Sequence, residues 1–492
     1  MKIKLPHSTQ NWLSVIGATI ALISFFMIVF LFIVNVLFLE GSSYVGLVIY
    51  ILLPAFLILG LILIPVGMFF NRRKVAPAES PWPKVDLNDL RHRNAFIIFS
   101  VGTTIFLLAS ALGSYEAFHY TESVQFCGTL CHRVMEPEYT AYKHSAHARV
   151  ACVDCHVGSG ANWYVRSKLS GLYQVYSVLA TKYSRPIETP VKNLRPARET
   201  CEECHWPQKF YARKLRLERH YLNDDNNTEW DIRLVMKIGA VHEALGLQEG
   251  IHWHINPNVK IQYIASDKQR QVIPWVRYIN ESTGDTTVYM DEDNPIEETE
   301  ITKENIHTMD CIDCHNRPSH SYKPPAFFVN NAITSGTIPK SLPEIKSVAM
   351  EICSEEFNTK DSAMTYIEET LREHYQDTEN KDELEQAVTG LQQAYAENIF
   401  PYMHVKWDAY PNNIGHLEFN GCFRCHNDTH SNEVGDRISK DCNLCHVIIE
   451  QGSPGAVEST TIEQQLAFRH PVDIDGVWKE SLCTDCHTGL NP

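Results

Sequence analysis

The stretch Cys152-Val153-Asp154-Cys155-His156 decides how this chain is read. Its pattern is two cysteines three apart with a histidine directly after the second. It returns at Cys201, Cys204 and His205; at Cys311, Cys314 and His315; at Cys422, Cys425 and His426; at Cys442, Cys445 and His446; and at Cys483, Cys486 and His487. A seventh copy, Cys127, Cys131 and His132, has three residues between its cysteines. Together the copies use 14 of the 15 cysteines. Disulfides would account for an even number of cysteines but not for the recurring histidine. Zinc ribbons use paired Cys-x-x-Cys units and make no such demand either. Covalent haem attachment needs both features: two thioether bonds from the cysteines and an axial iron ligand from the histidine. The motifs therefore imply seven c-type haems. Cys353 is left over in a helical-looking stretch and reads as a buried small hydrophobe.

The amino-terminal 117 residues are of another kind. Residues 12–39 and 44–70 are nearly unbroken apolar runs. As helices rising 1.5 Å per residue they would each reach about 40 Å, enough to span a bilayer with tilt. Residues 95–112 form a third, shorter run, and Pro54 and Pro65 fall inside the second. Lys2 and Lys4 precede the first run, while Arg72, Arg73, Lys74, Lys84, Arg91 and Arg93 lie between the second and third. The turn at 40–43 carries no basic residue. The positive-inside rule then places the amino terminus and the 71–94 loop in the cytoplasm and everything after Leu112 across the membrane. The expected location is a bacterial inner membrane with the haem domains in the periplasm. A cleaved signal sequence is the other reading of the third run, but cleavage would sever the haem segment from its anchor.

The net charge is −16. That excludes nucleic acid as a partner, because nucleic acid requires a basic surface. The acidic run 291–300 reads as a solvated loop.

The motifs cluster unevenly, three within 127–205, one at 311–315 and three within 422–487. The first gap is predicted as β, with short Val-, Ile-, Tyr- and Trp-rich runs at 231–238, 259–265, 271–279 and 286–289 separated by turn residues. The second is predicted as α, with three- and four-residue apolar spacings at 343–356, 360–375 and 381–398. The expected fold is a multihaem cytochrome c, mainly α and irregular, with three transmembrane helices and a small inserted β-sheet segment. Four domains are expected. They are a membrane anchor at 1–117, a tetrahaem domain at 118–325 with its β-rich insertion at about 210–305, a helical connecting segment at 326–403 and a trihaem domain at 404–492.

Each iron needs a second axial ligand unless it is catalytic. Of 23 histidines, seven belong to motifs and His7 and His92 fall on the cytoplasmic side, leaving 14 for at most seven positions. Nothing in the sequence therefore forces an open iron. His147, His320, His416, His430 and His470 stand a few residues from a motif or before the last one, where a turn can carry a ring over a porphyrin. His416 and His470 are expected to serve the carboxy-terminal cluster, with His404 and His430 next in line. His252 and His254 flank Trp253, and ligand and structural roles both stay open for them.

From Phe126 to about Pro207 the chain resembles the NapC/NirT family of membrane-anchored tetrahaem quinol dehydrogenases. The resemblance is carried by Phe126-Cys127, Cys131-His132, Met135-Glu136-Pro137, Tyr139, Ser145-Ala146-His147, the second motif with Val157, and Trp163 followed by Lys168. Cys311-Ile312-Asp313-Cys314-His315 with His320 adds a fourth haem. The whole architecture is most similar to heptahaem inner-membrane cytochromes of metal-respiring bacteria. The resemblance implies oxidation of menaquinol or ubiquinol at the outer membrane face. It also implies Met135 as an axial ligand at the first haem, Lys168 beside the quinol, His147 on the third haem and His320 on the second. The departures are the extra residue in the first motif, a methionine three rather than two residues after His132, and Gln174 where the family commonly has a carboxylate. Glu136 and Glu138 are the candidates to take quinol protons in its place. Lipid phosphate is the other reading of Lys168.

These features predict a membrane-bound quinol dehydrogenase. Its partners would be membrane quinol, the lipid bilayer and a periplasmic multihaem cytochrome or reductase, and self-association into a homo-oligomer stays open. A terminal reductase of a nitrogen or sulfur oxyanion is the second reading. A passive subunit that only wires a partner enzyme to the membrane is the third.

Overall fold

The computed structural model describes residues 11–38, 48–75, 86–157, 161–189, 196–210, 213–239 and 250–490. The chain divides into two compact units, Met1–His132 and Arg133–Pro492.

In the first unit the apolar runs form α1 (Trp12–Phe38), α2 (Leu53–Val75, entered through one π turn at Val48–Leu52) and α3 (Leu90–Glu122). All three are long and apolar enough to cross a membrane. Their large side chains, among them Phe26, Ile62, Phe99 and Leu107, face outward, as lipid-facing surfaces do. The protein is membrane-anchored. α3 runs past the apolar stretch at 95–112 at both ends: at its start the Asp89 side chain accepts the Arg91 N–H and caps it, and at its other end it continues to Glu122. α1 and α2 approach through small residues: a side-chain carbon at Gly17 would strike the Gly60 carbonyl, and one at Gly60 would strike the Ala21 backbone. Small residues let membrane helices close up in this way. The Ser14 hydroxyl then donates to the Ile64 carbonyl across the pair at 2.9 Å. Lys2, Lys4, Lys84 and the 40–43 turn lie outside the described residues.

In the second unit most motifs sit on single turns of helix. Cys152–His156 and Cys311–Cys314 are α-helical, and Gly421–Arg424, Cys442–Leu444 and Cys483–Asp485 are 3₁₀. One turn is what the chemistry asks for, since residues three and four apart share a helix face. α4 (His132–Lys143) carries Met135, Glu136 and Glu138. α5 (Ala161–Leu179) carries Lys168.

The strands are β1 (Arg213–Tyr221), β2 (Glu229–Lys237), β3 (Val259–Ile264), β4 (Trp275–Asn280), β5 (Thr286–Asp291), β6 (His307–Thr308), β7 (His430–Ser431), β8 (His446–Gly452) and β9 (Glu458–Ser459). They build two antiparallel sheets, ordered β1-β2-β8-β9 and β6-β3-β4-β5-β7. The sequence reading anticipated one small inserted sheet. Instead, β8 follows the sixth motif and pairs with β2, Val235 opposite Val447, and β7 follows the fifth motif and pairs with β5. The insertion and the carboxy-terminal segment thus share both sheets.

Helices α6 (Pro325–Thr334), α7 (Ile345–Ser354), α8 (Lys360–His374) and α9 (Lys381–Asn398) form the largest apolar core, centred on Val329, Ile338, Ile367, Leu371 and Leu391. Thr359 and Asn380 cap α8 and α9 by accepting from Ser362 N–H and Glu383 N–H. Cys353 is buried in this core, and so is the whole of Lys346.

Candidate haem centres

Six histidines outside the motifs each face one motif histidine. His147 stands 5.9 Å from His205, ring centre to ring centre, and His320 stands 6.2 Å from His156. His252 is 6.2 Å from His315 and His254 is 5.8 Å from His426. His416 is 6.2 Å from His446 and His470 is 6.1 Å from His487. Two metal–nitrogen bonds of about 2 Å each, plus about 1 Å from each nitrogen to its ring centre, give about 6 Å for two imidazoles clasping one metal. The residues present fit a bis-histidine haem iron.

The second nitrogen of these rings strengthens the fit. Nδ1 of His147 faces the Pro318 carbonyl at 3.3 Å, that of His252 the Ile238 carbonyl at 2.8 Å, and that of His254 the Ile251 carbonyl at 2.8 Å. His426 does the same toward the Ser439 carbonyl at 2.9 Å. A nitrogen that faces a carbonyl must carry the proton. The other nitrogen, Nε2, is then the lone-pair donor, which is how metal-ligating histidines are oriented.

His430 is a correction to the sequence reading. It is wholly buried, with Nε2 2.7 Å from the Ile273 carbonyl and Nδ1 2.8 Å from Asn427 Oδ1. Both nitrogens are taken, so none remains for an iron. Its closeness to the fifth motif reflects the pairing of β7 with β5, not ligation. His416 also departs from its sequence neighbourhood. It lies just before the fifth motif yet faces His446 of the sixth. Gly421 makes that fold-back possible: its φ is +47°, and a side chain there would collide with the Gly415 carbonyl. At the first motif, His132 and Met135 are three apart on α4 and therefore approach from one side. That spacing differs from the facing ring pairs of the six other motifs.

Consecutive motifs from the second to the seventh are neighbours. The turn Cys152–His156 lies against the turn Ala197–Cys201, which lies against Cys311–Cys314, where the Arg198 N–H reaches Asp310 Oδ2 at 3.4 Å. Arg424 of the fifth motif donates to the Asp313 carbonyl of the fourth at 2.9 Å, and the Lys440 N–H before the sixth motif donates to Asp428 Oδ1 just after the fifth at 3.0 Å. His416, whose ring faces His446 of the sixth motif, has its Nδ1 3.9 Å from Cys483 Sγ of the seventh.

The acidic candidates have partners. Glu138 Oε2 lies 2.9 Å from His320 Nδ1, and the Glu138 carbonyl also faces that nitrogen at 3.1 Å. The other Glu138 carboxylate oxygen lies 3.7 Å from the Arg317 guanidinium, so the mostly buried acid has a cation beside it. Glu136 pairs with Lys360 at 3.5 Å. On α5, Lys168 Nζ sits 5.0 Å over the Tyr164 ring, and Arg166 lies over Trp163 at 5.4 Å. The same helix exposes Val165, Leu169, Leu172, Tyr176 and Leu179. Their three- and four-residue spacing makes one apolar stripe, with Lys168 at its edge. Gln174 Nε2 reaches Ser170 at 3.5 Å.

Comparison with known proteins agrees with this arrangement. Residues 90–189 match the NapC/NirT cytochrome c family, N-terminal region. The chain is 43% identical over 489 residues, 97% of its length and 95% of the relative's, to cytochrome c-type protein ImcH of Geobacter sulfurreducens. It is 27% identical over 176 residues, 32% of this chain and 98% of the relative, to cytochrome c-type protein NrfH of Wolinella succinogenes. No solved structure matches.

Proposed function

The chain belongs to the NapC/NirT cytochrome c family, and on that premise we propose that it oxidises membrane quinol and delivers the electrons through seven c-type haems to a periplasmic multihaem cytochrome or reductase. Each haem, when bound, supplies a one-electron carrier whose potential is set by its ligands and surroundings. The protein's part is to hold and space these groups. The observation that carries the reading is the unbroken succession of neighbouring motifs from the second to the seventh, each with a second histidine in place. In it His147 serves the third haem, His320 the second, His416 the sixth and His470 the seventh. A terminal reductase would need an iron with an open distal position, and paired histidines at six motifs argue against one there.

Quinol dissolves in the bilayer, so its oxidant must work at the membrane surface. In this reading the apolar stripe of α5 lies on the lipid, with Trp163 and Tyr164 at headgroup depth. Lys168 then stands where quinol arrives, and by the family resemblance Met135 is the axial ligand candidate of the first haem. Menaquinol and ubiquinol are the candidate substrates. The haem-bearing segment faces the periplasm. Anaerobic mixing of the purified protein with a reduced quinol analogue is expected to reduce its haems. Haems that stay oxidised with quinol but respond to dithionite would overturn the reading.

Two further outcomes are expected. His416→Ala and His470→Ala should each convert one low-spin haem to high-spin, whereas His430→Ala should leave the spin state intact. Absorption and paramagnetic resonance spectra check this. Glu138→Gln should raise the midpoint potential of one haem without changing its spin state. A carboxylate on Nδ1 makes His320 a stronger donor and favours the oxidised iron, and the amide removes that charge. Spectroelectrochemical titration reads the shift. A potential unmoved by the substitution would mean that Glu138 only packs against His320.

A further inference from the structure

We propose that the single 3₁₀ turn Ile251–Ile255 carries the distal ligands of two haems at once, His252 for the iron of His315 and His254 for the iron of His426. This rests on reading the motifs as haem sites. Residues two apart on a helical turn do not share a face, so His252 and His254 diverge and serve two metals rather than one. Both have Nδ1 fixed on a backbone carbonyl, Ile238 for His252 and Ile251 for His254, which directs Nε2 outward. Trp253 lies between them and stacks on Tyr278 of β4, ring centres 5.5 Å apart and planes 27° from parallel. The turn is thereby pinned to the second sheet.

The proximal sides of the same two centres are also tied together. Arg424, between Cys422 and Cys425, donates to the carbonyl of Asp313, between Cys311 and Cys314, at 2.9 Å, and to the Arg270 carbonyl at 2.8 Å. Arg270 in turn holds the Asp313 carboxylate at 2.7 Å. Asn413 donates to the same Asp313 carbonyl at 2.9 Å. The fourth and fifth centres are held by one clamp below and one turn above. The fourth motif closes the family-like set and the fifth opens the carboxy-terminal set. Ile251–Ile255 is therefore the joint through which the two sets are held in register, and electrons leaving the first set cross there.

The ring planes make the assignment testable one centre at a time. His252 and His315 are 4° from parallel, while His254 and His426 are 82° apart. Near-parallel imidazoles give a rhombic low-spin ferric resonance, and near-perpendicular ones a strongly anisotropic signal with one large g value. The other near-perpendicular pair is His147 with His205, also at 82°.

The test uses the full-length holoprotein, with its haem content first counted by mass. His252→Gly should turn one rhombic low-spin haem high-spin, and His254→Gly should instead remove one of two strongly anisotropic signals. Added imidazole should restore low spin in each, which separates a missing ligand from a misfolded chain. Variants that keep the full low-spin complement, or that both deplete the same signal, would overturn the proposal. A wild-type mass without haem at the fourth or fifth motif would instead overturn the haem reading beneath it.

Discussion

Replacing Lys168 by methionine is expected to slow quinol-driven haem reduction about a hundredfold, the usual loss when a group that handles protons is removed. Chemically reduced haems should still pass electrons onward at the wild-type rate. The expectation follows from what surrounds the candidate site. Oxidation of quinol releases two protons, so a polar group must stand near the ring. Gln174 stands where the family resemblance leads to the expectation of a carboxylate, and an amide does not titrate. Glu138 is held by His320, and Glu136 pairs with Lys360. Lys168 stands at the edge of an exposed apolar stripe on α5, the face on which a membrane-soluble substrate would arrive. Methionine keeps the length of the side chain and removes its charge. If Lys168 only meets lipid phosphate, Lys168→Arg should behave like wild type and Lys168→Met should weaken membrane association while quinol turnover persists. Stopped-flow reduction by a quinol analogue, with membrane partitioning measured alongside, separates these outcomes.

The contrast between His430 and His252 shows how far the sequence could be read. The attachment residues follow from local spacing, because the thioethers and the proximal histidine belong to one helical turn. The membrane helices and four of the strands follow from apolar patterning for the same local reason. The histidines that face the motif histidines are not set by local spacing. His416 lies beside the fifth motif but reaches the sixth. His252 is far from any motif in sequence and faces the fourth. His430 has the right offset, but its nitrogens are consumed by Ile273 and Asn427. Only the course of the backbone through the two sheets decides among them. β1 was illegible for a related reason. In Arg213–Tyr221 only Leu215 and Leu217 alternate with charged residues and both stay exposed, and the strand pairs with β2 partly through ion pairs such as Arg219 with Asp231 at 2.7 Å. Glu138 kept its place as a conspicuous acid in the sequence, but its neighbour His320 comes from a segment more than a hundred residues later. The anchor for the distal nitrogen, in most of the six pairs, is a main-chain carbonyl, which no side-chain pattern announces.

Lys346→Met is expected to stabilise the helical core of α6–α9 by about 3 kcal/mol at pH 6, with the gain vanishing near pH 10. Lys346 is fully buried on α7, and its one side-chain hydrogen bond described goes to the Ala326 carbonyl at 3.1 Å. Desolvation pushes its amine down to about 7. In the unfolded chain the same amine titrates near about 10.4. Between these values the unfolded chain binds the extra proton, so wild-type stability rises with pH across that window. Below pH 7 both states are protonated, and the fold carries the full cost of a buried ammonium, about 4 kcal/mol. Methionine removes that cost while filling nearly the same volume, and leaves one carbonyl without its donor at a cost of about 1 kcal/mol. Thermal unfolding followed by far-ultraviolet circular dichroism at pH 6 and pH 10 tests both the size and the sign. An equal gain at the two pH values would mean that packing, not charge, limits this core.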